Sequence, residues 1–154
     1  MSLSLTSSAF DQGGEIPKKY GYKNENASPP LSISKVPVKC KSLALIMDDP
    51  DAKKAVGKVW THWLVWNIHP TIREIAESSI PRECLEGKTD FNSVKYGGPA
   101  PPDGRHTYVF ALYALDADLD LERGADVRAL KTAMNGHILE ETKLVGTYLP
   151  DSQQ

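Results

Sequence analysis

The sequence has few cysteines, and this scarcity excludes two ways of building a protein. Its 154 residues include only Cys40 and Cys84, which have neither the number expected of a disulfide framework nor the spacing of a metal site. Chains with so few cysteines usually keep them as free thiols in a reducing compartment. We therefore expect two free thiols and a cytoplasmic protein.

Long apolar runs and a strong charge of one sign are also missing. No stretch approaches the roughly eighteen apolar residues of a membrane-spanning helix, and the N-terminus lacks the basic start and apolar run of a signal peptide. The formal net charge is only −2, and lysine and arginine are scattered, whereas nucleic-acid-binding proteins usually carry a clustered basic excess. We expect neither an integral membrane segment nor a nucleic-acid partner.

Turn residues are abundant instead. The 11 glycines and 11 prolines divide the chain into short segments, most of which have the composition of strands. Helical spacing predicts an amphipathic helix over residues 126–134 and a second short helix over 137–144. Strands followed by late helices favour a mainly β sandwich with a helical appendage, in one domain spanning residues 1–154. The predicted strands cover residues 2–8, 31–33, 42–47, 59–68, 91–96, 105–115 and 145–149.

Two histidines lie on strand faces that alternation makes apolar. Side chains two residues apart on a strand share a face, so His106 and Tyr108 point the same way. By the same rule, His62 shares a face with apolar residues of the segment 59–68. They are Trp60, Leu64, Trp66 and Ile68. A polar ring on such a face is either satisfied within the core or turned toward a pocket.

Acidic residues follow the strand predicted at residues 42–47. Because sequential strands often pair, Asp49 and Asp51 would approach His62 and His106 at one end of a sheet. A carboxylate can orient an imidazole whose other N–H donates to a small anion. The alternative is an ordinary Asp-Asp-Pro-Asp turn beside core histidines, and the residues alone leave both interpretations open.

Other chemistry has weaker support. A His/His/Asp set is permitted for zinc, but no His-x-His, His-Glu-x-x-His or paired-cysteine spacing occurs. No Gly-x-Ser-x-Gly elbow is present, and neither cysteine is linked by sequence to a histidine. We expect a protein that is not an enzyme and needs no cofactor or metal, and rank a metal-dependent hydrolase last.

Three ordered motifs resemble the phosphatidylethanolamine-binding protein family, and most closely its prokaryotic branch. They are Asp49-Pro50-Asp51-Ala52, then Trp60-Thr61-His62-Trp63, and then Gly97-Gly98-Pro99-Ala100-Pro101-Pro102-Asp103-Gly104 leading into His106-Thr107-Tyr108. The resemblance extends over nearly the whole chain. It implies a two-sheet antiparallel β-sandwich with short C-terminal helices, and a small pocket for phosphate, phospholipid headgroups of the phosphoethanolamine type or similar anions.

The resemblance also implies which residues bind the ligand. They are Asp49, Asp51, His62, Gly98, Pro101, Pro102, His106 and Tyr108. Two departures from the family pattern concern the rim of the pocket. Lys53 stands where the family often has proline and would add a positive charge for an anion, whereas Thr107 replaces an arginine and removes its support.

Members of that family do not share one task, and a fold alone does not choose among them. The first hypothesis is a non-catalytic binding protein that modulates a partner such as a kinase. In it His62 and His106 donate to the anion, Asp49 orients or charges an imidazole and Tyr108 completes the wall. The alternative is a serine protease inhibitor that acts through an exposed loop, residues 11–30 or 71–87. A homodimer is also compatible with the resemblance.

Overall fold

A computed structural model describes residues 2–154, which form two antiparallel sheets and two α-helices. The strands are β1 (Ser4–Thr6), β2 (Leu31–Ser34), β3 (Ser42–Asp49), β4 (Trp60–Ile68), β5 (Glu74–Ile75), β6 (Leu85–Glu86), β7 (His106–Leu115) and β8 (Ile138–Tyr148). The helices are α1 (Ala52–Val56) and α2 (Val127–Met134). The large sheet has the strand order β6-β4-β3-β7-β8, and the small sheet has the order β1-β2-β5.

The central strand β3 is apolar from Leu43 to Met47, where both of its faces are covered. Leu43, Leu45 and Met47 pack in the core that includes residues of the small sheet, and Ala44 and Ile46 pack in the cluster that includes α2. An unbroken apolar run is typical of a strand buried on both sides. The predicted β-sandwich is confirmed, with one helix against the outer face of its large sheet.

The predicted helix over residues 126–134 is confirmed as α2. The side chain of Asp126 caps it by accepting a hydrogen bond from the backbone N–H of Ala129 at 2.9 Å. Leu130 and Met134 are buried against the large sheet, and the chain leaves the helix toward Gly136, whose φ of 83° suits glycine.

Two predicted elements are wrong. Residues 137–144 do not form a second helix but belong to the 11-residue strand β8, which pairs with β7 from Ile138 to Tyr148. Residues 91–96 are not a strand, because a turn begins there: Thr89 hydrogen-bonds with Ser93, and Asn92 adopts a φ of 59°. In residues 137–144, pairing with β7 outweighs a weak intrinsic preference for helix. In residues 91–96, the local turn outweighs a weak preference for strand.

Strand β4 contains two bulges, and they overturn the predicted face pattern. Its partners on β3 change register between Leu43 and Leu45 and again between Met47 and Asp48. At the second bulge, Met47 pairs with Trp63 but Asp48 pairs with Thr61. His62 is thus the extra residue, and an extra residue re-aims the side chains around it.

The tryptophans and their neighbours on β4 are therefore distributed differently from simple alternation. Leu64 and Trp66 pack under α2, whereas Trp63 and Ile68 lie in the core between the sheets. Trp60 does not share the environment of Trp66, because it lies beside His62 at the end of the sheet.

The two loops predicted at residues 11–30 and 71–87 are largely held by backbone pairing. The first lies along β8, where Gly13 donates to the Val145 carbonyl at 2.7 Å and Ile16 to the Thr147 carbonyl at 2.8 Å. The second contains β5 and β6. Cys40 and Cys84 are buried free thiols, as predicted. Among residues 2–154, no helix combines the length and apolar character needed to cross a bilayer.

Candidate functional site

A cavity of about 240 Å³ lies at one end of the large sheet. Because neighbouring strands are antiparallel, the C-terminal end of β3 meets the N-terminal ends of β4 and β7 there, and α1 and the 97–105 loop close the sides. Its lining combines titratable and aromatic residues with small apolar ones. The lining residues are Asp49, Ala52, Ala55, Val56, Trp60, His62, Phe91, Ala100, Pro102, His106 and Tyr108.

His106 lies between two carboxylates. Its Nδ1 donates to Asp49 Oδ2 at 2.6 Å, and its Nε2 donates to Asp103 Oδ1, also at 2.6 Å. Burial by itself lowers the pKa of His106, but the hydrogen bonds to Asp49 and Asp103 outweigh burial and raise that pKa above its ordinary value. His106 is therefore held as an imidazolium whose two N–H groups are both engaged.

His62 is buried and has the opposite electrostatic character. Burial lowers its pKa, more than the Gly97 carbonyl and the charge of Asp49 raise it. The ring is thus neutral, and its Nδ1 donates to the Gly97 carbonyl oxygen at 2.6 Å. A neutral imidazole that donates at Nδ1 has a lone pair at Nε2. His62 is therefore a hydrogen-bond acceptor toward the cavity, not the donor that the sequence predicted.

The hydroxyl oxygen of Tyr108 is buried and has no hydrogen-bond partner within residues 2–154. Among those residues it is the only buried side-chain polar atom of this kind. Burial, reinforced by the charge of Asp49, holds the pKa of Tyr108 well above its usual value, so the hydroxyl keeps its proton. The Tyr108 ring meets His62 edge to face, with centroids 5.2 Å apart. The Asp49 carboxylate and the Ala100 backbone are near enough to the hydroxyl to act on its pKa, but neither forms a well-directed hydrogen bond with it. The cavity wall thus contains a donor without a hydrogen-bond partner beside the acceptor of His62.

Phe91 is a wall residue that sequence reasoning missed. It stacks on Tyr22 with ring centroids 4.1 Å apart and meets His62 edge to face at 5.3 Å. Its position depends on Asp90, whose Oδ2 accepts a hydrogen bond from the Thr61 backbone at 2.7 Å. The available signal was the turn-forming pair Thr89-Asp90, which argues against a strand at this point.

The structure brings together five of the eight predicted site residues. Asp49, His62, Pro102, His106 and Tyr108 line the cavity. The other three lie outside the lining. They are Asp51, Gly98 and Pro101.

Two of those three make contacts with the backbone that supports the site. Asp51 Oδ2 accepts a hydrogen bond from the backbone N–H of Thr107 at 2.7 Å and so fixes the first turn after β3 against the start of β7. Gly98 donates to Asn26 Oδ1 at 2.7 Å, and a Cβ on Gly98 would lie 2.0 Å from the carbonyl oxygen of Tyr20. Asp51 and Gly98 thus support the frame and do not contact the cavity.

The charge of the cavity also differs from expectation. No lysine is among the lining residues, and Lys53 is exposed on α1. The hydrogen bond from His106 lowers the pKa of Asp103, and the positive charge of Lys54 lowers it further. Lys54 is thus the lysine whose charge acts on the groups at the cavity. Two carboxylates, Asp49 and Asp103, face one imidazolium, so the charges fixed at this site are net negative.

A larger and more open groove of about 470 Å³ lies elsewhere, beside Trp63 and Tyr96. Its charged side chains are Glu25, Glu86 and Lys95, and Glu86 already accepts from the Trp63 indole N–H at 2.9 Å. The smaller cavity is the stronger candidate, because it contains the buried unpartnered hydroxyl. Within the described part of the chain, no three His, Cys, Asp or Glu side chains are arranged to hold a metal ion.

Comparisons with known proteins show the family to which the chain belongs. Residues 6–149 match the family model described as phosphatidylethanolamine-binding protein. A UPF0098 protein of Methanothermobacter thermautotrophicus is 46% identical over 151 residues, which cover 95% of this chain and 98% of the relative.

Two solved structures extend the likeness to three dimensions. A homologue of phosphatidylethanolamine-binding protein from Chlamydia trachomatis superposes with a TM-score of 0.91 at 41% identity, covering 97% of this chain and 99% of the other. YbcL of E. coli, described as a member of the mammalian family of these proteins, gives a TM-score of 0.89 at 25% identity, with coverage of 96% and 98%. The chain belongs to the phosphatidylethanolamine-binding protein family.

Proposed function

We propose that this protein is a non-catalytic binding protein whose cavity at His62, His106 and Tyr108 takes a small ligand bearing an anionic oxygen. The observation that carries the proposal is the buried Tyr108 hydroxyl, which has no partner among residues 2–154. An unsatisfied buried donor costs about 1 to 3 kcal/mol, and a ligand oxygen beside it would remove that penalty. Native proteins rarely keep such a group without a reason.

The complementary groups define the ligand further. Tyr108 offers a donor for an anionic oxygen, and the His106 imidazolium would offer a second one at Nε2 once the ligand takes the place of Asp103, whereas the neutral His62 offers an acceptor at Nε2. A ligand that satisfies all three must present oxygen acceptors and also an O–H or N–H donor. Phosphomonoesters below their second pKa of about 6 carry both, as does inorganic phosphate, whose second pKa is higher, and phosphoethanolamine adds an ammonium.

The size and the lining of the cavity favour a compact ligand. At about 240 Å³, the cavity is smaller than the roughly 300 to 1,000 Å³ of pockets that bury drug-sized molecules. Trp60 and Phe91 supply an apolar and aromatic wall beside the polar groups. A headgroup with a phosphate and a short carbon chain fits this combination.

Inorganic phosphate, watched through the histidine ring signals by NMR at pH 6, tests the proposal directly. We expect saturable shifts of both His62 and His106, and weaker binding of sulfate at the same ionic strength, because sulfate carries no proton for His62 Nε2. Phosphoethanolamine should compete with phosphate. A folded sample in which neither ring responds to phosphate would contradict the proposal.

Action on a protein partner, a kinase or a serine protease, would follow from occupancy of the cavity in this proposal. The variant His62→Asn separates cavity-dependent action from inhibition through a surface loop. Asparagine can still donate to the Gly97 carbonyl but lacks the acceptor that His62 presents at Nε2. A protease or kinase activity that wild-type protein lowers and His62→Asn lowers equally would point to a loop instead.

A further inference from the structure

The Asp103 carboxylate occupies the hydrogen-bonding position at Nε2 of His106. Its Oδ1 accepts from His106 Nε2 at 2.6 Å, although the Asp103 side chain is 54% exposed. We propose that Asp103 is an internal ligand of the cavity, which competes with an external anionic oxygen for the His106 Nε2–H and so sets the affinity for that oxygen. This inference rests on the proposed function and names a residue that determines its strength.

The two ring nitrogens of His106 are not equivalent. Nδ1 donates to Asp49, and both side chains of that pair are only 5% exposed. Asp49 is also bound on its other oxygen, Oδ1, by the backbone N–H of Ala52 at 3.2 Å. An external oxygen cannot take the place of Asp49 without opening the core, so Nε2 is the nitrogen that a ligand would use.

Asp103 is attached far less firmly than Asp49. Within residues 2–154 its carboxylate makes a single side-chain hydrogen bond, the one to His106. Exposed ion pairs contribute little to stability, because water and salt screen them. Water screens the Asp103 end of the pair, whereas both ends of the Asp49 pair are buried, so displacing Asp103 costs less than displacing Asp49. A Cβ built on the neighbouring loop residue Gly104 would meet nothing within 4 Å.

The bond between Asp103 and His106 also indicates what chemistry this position accepts. A carboxylate oxygen at 2.6 Å from an imidazolium nitrogen is a charge-assisted hydrogen bond. A phosphate or carboxylate oxygen of a ligand can form the same bond. Asp103 thus forms the hydrogen bond that the ligand's anionic oxygen would form. The apparent affinity for the ligand is reduced in proportion to the fraction of time that Asp103 occupies Nε2.

Two variants of Asp103 test the inference by titration with inorganic phosphate at pH 6. Asp103→Asn keeps a weaker, neutral acceptor, and Asp103→Ala removes it. The titration is made at pH 6, below the ordinary histidine pKa of 6.5, and the ring signals of His106 report whether the imidazolium persists in each variant. We expect affinity to increase from wild type to Asn to Ala, with about a tenfold lower Kd for Ala if Asp103 holds Nε2 nine-tenths of the time.

Glu122→Gln is the matched control for the loss of one negative charge, because Glu122 is exposed and its side chain makes no hydrogen bond to His106. Acetate provides a second probe, since a carboxylate should gain from the same substitutions. Equal phosphate affinity of wild type and both Asp103 variants, or an equal gain in Glu122→Gln, would overturn the inference and leave the proposed function intact. Phosphate binding by the two Asp103 variants but not by wild type would support both the inference and the proposed function. Absence of binding in wild type and in both variants would overturn both.

Discussion

Asp49 and His106 form a buried ion pair, with 2.6 Å between Oδ2 and Nδ1 and both side chains 5% exposed. We predict that Asp49→Asn destabilises the protein by about 3 to 5 kcal/mol, because removing one partner of a buried pair leaves the other charge uncompensated. Urea denaturation at pH 6 measures this. In the same variant the pKa of His106 should fall, which the NMR titration of its ring records.

The pH dependence of that pair has a definite sign. The pKa of folded His106 lies above the unfolded value of 6.5, so the ionic stabilisation is complete below pH 6.5 and is lost as pH rises through the folded-state pKa. The stability difference between wild type and Asp49→Asn should therefore shrink at alkaline pH. Asp103→Asn, which also removes a carboxylate from His106, should lower the pKa of His106 and, by the same linkage, cost some stability below that pKa, but less than Asp49→Asn, since Asp103 is 54% exposed.

His62 gives the opposite pH dependence. Because its folded-state pKa is lowered from 6.5, the unfolded chain takes up a proton that the folded protein refuses, and stability falls as pH decreases below about 6.5. We expect wild type to lose stability relative to His62→Asn by up to about 1.4 kcal/mol per pH unit on the acid side. Denaturation curves of the two proteins at pH 7.5, 6.5 and 5.5 measure the difference. Parallel pH profiles would show that His62 is not held neutral.

Removing the Tyr108 hydroxyl should have opposite effects on the stability of the ligand-free protein and on phosphate binding. Without ligand, Tyr108→Phe removes an unsatisfied buried donor and should stabilise the protein by about 1 kcal/mol. The same change should weaken phosphate binding, because one donor to the ligand is lost. Thermal unfolding without phosphate and with saturating phosphate checks both effects. A loss of stability in the ligand-free variant would mean that the hydroxyl already has a partner.

A side chain at position 98 should disturb the packing beside the cavity. A Cβ at this position would lie 2.0 Å from the Tyr20 carbonyl oxygen and 2.9 Å from the Tyr22 amide nitrogen, both backbone atoms that cannot rotate away. We expect Gly98→Ala to destabilise the protein by roughly 1 to 3 kcal/mol. Gly104→Ala, in the same loop with nothing within 4 Å of its Cβ, is the control and should have little effect on the free energy of unfolding.

The parts of the fold that the sequence predicts well are those with a strong local pattern. The apolar run of β3 and the alternation of β7 place Asp49, His106 and Tyr108 correctly, and the cap at Asp126 marks the start of α2. These signals depend on residues close together in the chain. Local pattern and final structure agree here because packing reinforces the intrinsic preference.

The parts that could not be predicted depend on distant partners. The bulge at His62 exists only in the pairing of β4 with β3, so alternation within β4 gives the wrong neighbours for Trp60. Segment 137–144 has mixed polarity that suits a helix, but β7 supplies a long partner strand. The neutral state of His62 can be predicted only when its burial and its hydrogen bond to the Gly97 carbonyl are known.

The segment along β8 has a consequence for self-association. An outer strand with free N–H and C=O groups is a template on which another chain can add a strand. Here residues 12–16 already use that template: Thr147 donates to the Gly14 carbonyl at 2.9 Å, and Gln12 accepts from the Val145 amide. The opposite edge of the large sheet, β6, is only two residues long. Residues 145–147 of β8 are therefore closed to strand addition by a second copy of this chain, and β6 offers too short an edge for it.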